Sequence, residues 1–380
     1  LAFRSGKIIV RAHSAPSRGL WTLRMPEGLI LSIDGMGGDH APDIVVEGVD
    51  IAARRRADVR YLIHGDAERI NALLQRFPRA AAVSTVAPAE KSIGMDVKPS
   101  QALRQGRGSS LWNAIAAVEN GEAHAIVSAG NTGAFMAIAM FRLRTMKGVH
   151  RPALAARWPA MNGGYVVMLD VGANVEADSE QLVEFAIMGE AFQRAVSGIE
   201  RPTVGLLNVG AEDQKGHEEI RGAARLIREA GVDINFQGFV EGDDIAKGTV
   251  DVVVTDGFTG NIALKTGEGT ARLVAQLLRE ALTTGVLAKL GAAIAYPALK
   301  KLRARMDPGT FNGALFLGLN GLVVKSHGGA NANGYASALE VATLLARSHY
   351  REEIERNLAR LARAPATGEG ATSASAGEAS

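Results

Sequence analysis

LILSIDGMGGDHAP (residues 29–42) starts as an apolar, β-like run and ends in a glycine-rich turn leading to a helix opened by Pro42. The same arrangement recurs in AIVSAGNTGA (125–134), VVMLDVGANV (166–175), TVGLLNVGAED (203–213) and VVVTDGFTGN (252–261). Open α/β sheets bind ligands at the carboxyl ends of parallel strands, and glycines there let backbone N–H groups come close to an anion. The recurrence predicts a chain built around one crevice.

Between these turns, strand-like and helical patterns alternate, which argues for βαβ crossovers and a mainly parallel sheet. The pattern predicts strands at 29–34, 60–64, 82–86 and 124–128, with helices at about 42–56, 66–76, 109–120 and 131–144. It continues with strands near 153–158, 165–170, 203–208, 234–238 and 251–255, and helices near 179–196, 213–230 and 260–282. Runs such as VVMLD and DVVVT are apolar throughout, as in a sheet covered on both faces.

The chain has 380 residues, 47% hydrophobic and 22% charged, enough for a large core or two lobes around a cleft. A formal net charge of +2, without clustered aromatic and basic residues, gives no sign of nucleic acid. The absence of cysteine excludes disulfides, thiolate metal sites and a cysteine nucleophile. It is also compatible with a reducing cytoplasm. Residues 1–28 are read as a disordered amino-terminal extension, with Met25 a natural beginning and a transit peptide the alternative. The α/β domain is expected over 29–348, and a terminal helix and disordered tail over 349–380, where no large apolar side chain follows about Ala364.

One segment, about 271–306, departs from the alternation. It reads as a long helical stretch interrupted by Gly285, Gly291 and Pro297. Leu287, Leu290 and Ile294 recur at helical spacing among Lys289, Lys300, Lys301, Arg303 and Arg305. Apolar and cationic faces on one element suit an anionic membrane surface, and equally a helical hairpin packed against its twin in a homodimer.

The turns supply the candidate chemistry. Gly37, Gly38 and Asp39 stand in the first, with Asp34 at its start. Neither G-x-G-x-x-G nor a Walker loop is present, so a nucleotide is disfavoured. Ser128, Gly130, Asn131, Thr132 and Gly133 have the composition of an anion cradle at a helix N-terminus, although capping alone would explain Asn131 or Thr132. Asp170, Asn174 and Asn208 stand where strands end. Lys215 and Lys265 are cations next to glycine turns, and Lys325 with His327 forms another such cluster. The histidines lack metal-binding spacing, and no G-x-S-x-G elbow occurs. No metal or cofactor is expected. The inventory suits positioning an anionic substrate that itself attacks.

Taken in order, IDGMGGDHAP (33–42), VSAGNTGA (127–134), LDVGAN (169–174) with LVEFAIMG (182–189), LLNVGAEDQKG (206–216), VVVTDGFTGNIALKTGEG (252–269) and VVKSHGG (323–329) resemble the signature segments of the phosphate acyltransferase PlsX family. The resemblance runs from about Leu29 to Leu345. SHGGANANGYASAL (326–339) departs from the family's usual serine-containing version after the histidine.

The resemblance implies a three-layer α/β fold related to phosphate acetyltransferases and to isocitrate and isopropylmalate dehydrogenases. It implies formation of acyl phosphate from acyl-acyl carrier protein and inorganic phosphate, at the start of phospholipid synthesis. A cytoplasmic homodimer associated peripherally with the membrane, near the downstream glycerol-3-phosphate acyltransferase, follows from the same likeness. On this expectation Gly130, Asn131 and Gly133 amides hold phosphate and Lys215 is the leading clamp. Asn208 and Asn261 are candidates for the carbonyl oxygen, Lys265 and His327 are secondary donors, and Asp256 with Gly257 shapes its turn. A basic surface for the acidic carrier is expected at Arg142, Arg144 and Lys147 or at Lys300 to Arg305. Phosphate acetyltransferase acting on acetyl-CoA and a non-catalytic membrane-surface scaffold are the alternatives.

Overall fold

Alternate residues of the central strands face opposite sides, and both sides are apolar. Ala125 and Val127 join one core cluster while Ile126 joins the other, and Ala153 and Ala155 are separated in the same way from Leu154. A strand buried on both faces must lie between two helical layers. The computed structural model describes residues 28–229, 231–306 and 312–363, the side chains of 301–306 excepted. The expected extension, apart from Gly28, and the tail from Ala364 lie outside the described residues.

The described strands are β1 Leu29–Asp34, β2 Val59–Gly65, β3 Ser84–Pro88, β4 Ala125–Ser128, β5 Ala153–Pro159, β6 Tyr165–Leu169, β7 Thr203–Leu207, β8 Asn235–Val240, β9 Val252–Val254, β10 Ala314–Leu317 and β11 Leu322–Lys325. The described helices are α1 Asp43–Arg55, α2 Ala67–Leu74, α3 Pro78–Val83, α4 Pro99–Gln105, α5 Ser110–Glu119, α6 Thr132–Leu143, α7 Ser179–Ser197, α8 Glu218–Glu229, α9 Gly242–Lys247, α10 Gly257–Thr283, α11 Val286–Met306, α12 Ala332–Ala346 and α13 Tyr350–Leu361. One sheet holds all these strands, in the order β3-β2-β1-β4-β11-β10-β5-β6-β9-β7-β8.

The sheet is parallel within each half and reverses direction in the middle. β3, β2, β1, β4 and β11 are mutually parallel, as are β6, β9, β7 and β8. Antiparallel pairings through β10 and β5 join the halves, which therefore point in opposite directions. Helices α1, α7, α8 and α12 cover one face, and α4, α5, α6 and α9 the other, where the first turns of α10 also pack through Ala263 and Leu264.

Most sequence expectations hold to within a few residues. The expected helix 213–230 starts only at Glu218, because the preceding residues form a turn around Asn208. The expected strand 82–86 starts at Ser84, after α3. Within 271–306 the break falls at Thr284 and Gly285, where Gly285 takes the left-handed φ of 86°. Gly291 and Pro297 lie inside α11. A glycine costs an exposed helix only about 1 kcal/mol.

α10, with 27 residues, is about 40 Å long. Its N-terminal turns rest on the sheet, and beyond them Leu273, Val274 and Leu277 are exposed. With α11 it makes a protruding helical hairpin. The point of attachment is tight. A Cβ on Gly260 would stand 1.9 Å from the Asp170 carbonyl oxygen, a backbone atom with no freedom to retreat. Gly260→Ala should lower unfolding free energy by about 1–3 kcal/mol in denaturant titration, and an unchanged midpoint would show that α10 is not anchored there.

Candidate active site

The turn after β1 is folded onto the turn after β4 by a buried carboxylate. Asp34 accepts a 2.7 Å hydrogen bond from Ser128 Oγ, and Ser128 Oγ accepts in turn from the Gly130 N–H at 3.0 Å. Gly37 is the residue that permits this approach: a Cβ there would lie 2.4 Å from Asp34 Oδ2 and 2.7 Å from Gly130 N. Gly38 packs on Ala129 and on the Gly328 carbonyl, to which Asp39 N–H donates at 3.0 Å. Three turns, after β1, β4 and β11, thus meet.

Beneath them lies Lys325. It ends an otherwise apolar strand and is only 6% exposed. Its ammonium donates to the Ala129 carbonyl at 3.3 Å and to the Ser326 carbonyl. Burial pulls its pKa down to about 8, against the opposing charges of Asp34 and Asp39, and Lys265 adds to the depression. Burial pushes the Asp34 carboxyl up. His327 is half-buried, and desolvation lowers its pKa too.

The Asn131 side chain is consumed by structure. Its Oδ1 caps α6 by accepting from Ala134 N–H, and its Nδ2 holds the 91–98 loop through the Met95 and Val97 carbonyls. The Gly130 amide is likewise engaged with Ser128. Thr132 and Gly133 N–H groups belong to the first turn of α6, where no intrahelical acceptor exists, so these remain the donors for an anion. Of the expected cradle, Gly133 keeps its place, the Gly130 amide is taken by Ser128, and Thr132 joins as a donor.

In the other half of the sheet, Asp170 is saturated. Its carboxylate accepts from the N–H groups of Leu154, Gly172, Ala173 and Asn174 and from Asn174 Nδ2, at 2.7–3.0 Å. Asn174 Nδ2 also reaches the Pro152 carbonyl. Both residues build the turn. Asp256 caps α10 through Thr259 N–H, and Gly257 lets that helix start against Asp170 and Asn174. The first turns of α10 then present Asn261 and Lys265.

The two halves meet in a groove of about 410 Å³ between α6 and α10. Thr132, Gly133, Asn174, Asn261 and Lys265 give it polar groups, while Met136, Leu154, Val171, Phe258 and Leu264 give it apolar walls. Lys265 is half-exposed and ion-paired with Glu268 at 3.0 Å. Four of the five turns read from the sequence serve this region.

The fifth does not. Lys215 pairs with Glu212 at 2.9 Å on the surface, and Asn208 spends its side chain on the Lys215 carbonyl and the Val209 N–H. β7 lies six strands from β4 in the sheet order, roughly 29 Å across the sheet. Lys215 and Asn208 are therefore not brought to the Thr132 amide within one chain. The cavity of about 450 Å³ beside α8 is also separate, and its Arg221 and Arg228 are paired with Glu218 and Asp213.

Sequence reasoning named Lys325 without ranking it first and gave Asp34 no role. The signal was there in LVVK: a lysine ending a strand buried on both faces places its ammonium in the fold or at the strand mouth. Among the described residues no group of three or more His, Asp or Glu side chains could hold a metal ion.

A family model described as "Fatty acid synthesis protein" matches residues 29–352. The phosphate acyltransferase of Caulobacter vibrioides is 60% identical over 337 residues, 89% of this chain and 93% of the relative. That of Paramagnetospirillum magneticum is 54% identical over 89% of this chain and 96% of its own length. Among solved structures, a phosphotransacetylase from Streptococcus pyogenes superposes with a TM-score of 0.56 at 18% identity, covering 84% of this chain and 94% of that one. A putative 4-hydroxythreonine-4-phosphate dehydrogenase from Salmonella typhimurium gives 0.51 at 13% identity, covering 84% and 99%. The last two likenesses concern fold, and they agree with the expected relation to acetyltransferases and dehydrogenases. With the fold, the ordered turns and these relatives together, the chain belongs to the phosphate acyltransferase (PlsX) family and is an acyltransferase.

Proposed function

We propose that the protein transfers a long-chain acyl group from acyl-acyl carrier protein to inorganic phosphate, yielding acyl phosphate for phosphatidic acid and phospholipid synthesis. The observation that carries this reading is the composition of one groove: free helix-terminal amides and lysine charge at one side, apolar walls along the rest. Acyl phosphate needs both.

Phosphate near neutral pH is already a good nucleophile, its second pKa lying near 7 by comparison with about 6 for phosphate esters. Thr132 and Gly133 amides hold it, Lys325 supplies charge from below the loop, and Lys265 supplies charge at the rim. One phosphate oxygen attacks the thioester carbonyl carbon, and the electron pair moves to the carbonyl oxygen, where the Asn261 carboxamide donates. Collapse breaks the C–S bond and the thiolate leaves, taking its proton from solvent. A thiol of pKa about 8.5 needs little acid assistance. A single well-placed oxyanion donor is worth about 3–4 kcal/mol.

The hairpin supports a further part of the reading: a homodimer working peripherally at the cytoplasmic face of a membrane, next to the glycerol-3-phosphate acyltransferase that consumes its product. Leu287 is 84%, Leu290 60% and Ile294 77% exposed, an arrangement water alone does not favour. Among the described residues no single helix is long and apolar enough to cross a membrane. For the carrier, Arg144 and Lys147 offer exposed charge beside the exposed Phe141, whereas Arg142 is paired with Glu119 and stacked on Trp112 at 5.1 Å. Lys300 is exposed, and the side chains of Lys301, Arg303 and Arg305 lie outside the described residues. An acetyl-CoA donor is the second reading, favoured by the fold of the phosphotransacetylases. Family membership sets aside a non-catalytic scaffold.

Thiol release measured with palmitoyl-acyl carrier protein and with acetyl-CoA should require phosphate and favour the long-chain donor; acetyl-CoA preference would establish the second reading. In the same assay Lys325→Met should raise the phosphate KM tenfold or more, for loss of about 1.4 kcal/mol or above, and Lys215→Ala should stay near wild type. Because Lys325 carries charge below about pH 8 and loses it above, the wild-type phosphate KM should rise as pH passes 8. A flat profile, or the reverse ranking of the two lysines, would refute the assignment. Flotation with anionic liposomes should be lost when Leu287, Leu290 and Ile294 are replaced by polar residues, with activity on soluble substrate retained; unchanged flotation would leave the hairpin to dimerisation only.

A further inference from the structure

Six residues after α11, Asn312 enters the fold and is almost fully buried at 9% exposure. Both N–H donors and the carbonyl oxygen of its carboxamide are engaged. Oδ1 accepts from the His327 N–H at 2.9 Å; Nδ2 donates to Ser326 Oγ and to the Gly334 carbonyl, both at 2.8 Å. Its backbone carbonyl accepts from Arg157 Nη2 on β5 at 3.0 Å. One side chain therefore ties the turn after β11 to the first turn of α12, and its own backbone is pinned to the central antiparallel strand.

What that turn carries is the ammonium of Lys325. Ser326 and His327 immediately follow it, the Ser326 carbonyl accepts from Lys325 Nζ, and Ser326 N–H donates to the Ser128 carbonyl at 2.8 Å. A shift of residues 326–327 would move both the lysine's acceptor and the base of the anion loop. We propose that Asn312 is the positioning residue that sets Lys325 beneath the phosphate-binding amides. The proposal rests on the reading of that loop as the phosphate site. It goes further in assigning phosphate affinity to a residue that contacts no substrate and lies outside the glycine turns.

The consequence has a direction. Asn312→Ala removes all three carboxamide bonds, leaving the His327 amide and Ser326 hydroxyl unpaired. Asn312→Asp keeps the acceptor for His327 but loses both Nδ2 donors and adds negative charge near Lys325. The charged and titratable groups already facing that lysine are Asp34 on β1, Asp39 in the first turn, Lys265 on α10 and His327. Another carboxylate favours the ammonium, so its loss of charge moves to higher pH.

The test is steady-state kinetics on the full chain with inorganic phosphate and acyl carrier substrate, after thermal melting establishes that each variant is folded. Asn312→Ala should raise the phosphate KM about tenfold with the acyl-donor KM within about twofold. Asn312→Asp should move the alkaline rise in phosphate KM to higher pH, which a loss of general stability does not do. If Asn312→Ala does not fold, Ser326→Ala, which removes one partner of Asn312, should still raise the phosphate KM. Unchanged phosphate KM and an unshifted pH profile in folded variants, with Lys325→Met still impaired, would overturn the role of Asn312 and leave the phosphate site standing. Should Lys325→Met also be unimpaired, the site itself is misassigned.

Discussion

A lysine charge held inside the fold is the constraint around which the half of the sheet built on β1, β4 and β11 is arranged. Removing an ammonium from water carries a penalty of several kcal/mol unless it is paired or solvated by dipoles. Here the compensation comes from the charges of Asp34 and Asp39 and the carbonyls of Ala129 and Ser326. Those groups come from three chain-distant turns, so burying Lys325 and bringing the turns together are one event. Asp34, through Ser128, fixes the Gly130 amide, and the chain then enters α6 with its next amides turned outward. At the proposed phosphate site few residues would touch the anion, and many fix where it would sit.

The second half of the sheet uses the same local device for another purpose. Asp170 gathers four backbone amides and a carboxamide and so becomes the fixed point on which α10 starts. Because strand direction reverses through β10 and β5, the carboxyl ends of the two halves do not simply add up to one rim. They are joined by helices α6 and α10, whose facing sides make the groove. α10 then continues away from the sheet as the hairpin, so the helix that lines the groove also carries the exposed apolar surface.

How far the sequence was legible depended on range. Strands such as VVMLD and DVVVT declared themselves by composition, and the helices between them by periodicity, because those signals are local. The Gly turns were legible as turns, but their hydrogen-bond economy was not. The Asn131 side chain is spent on capping and on the 91–98 loop; Lys215 looked like a clamp and sits roughly 29 Å across the sheet from β4. Their neighbours in sequence gave no sign of this, since sheet order is set by crossovers that bring β11 beside β4 and leave β7 near the edge. Asn312 was invisible for the same reason. Nothing in FNGALF announces contact with a turn fourteen residues on.

In the proposed reaction phosphate attacks the acyl carbon directly, without an acyl-enzyme and without water. Supplying phosphate fully labelled with oxygen-18 and reading the product by mass spectrometry and phosphorus NMR tests it most directly. The account predicts acyl phosphate retaining all the label, with its bridging oxygen derived from phosphate, and no covalently acylated protein at any time in the reaction. Free fatty acid carrying solvent oxygen as the primary product, or an acylated side chain that forms before phosphate is added, would contradict it.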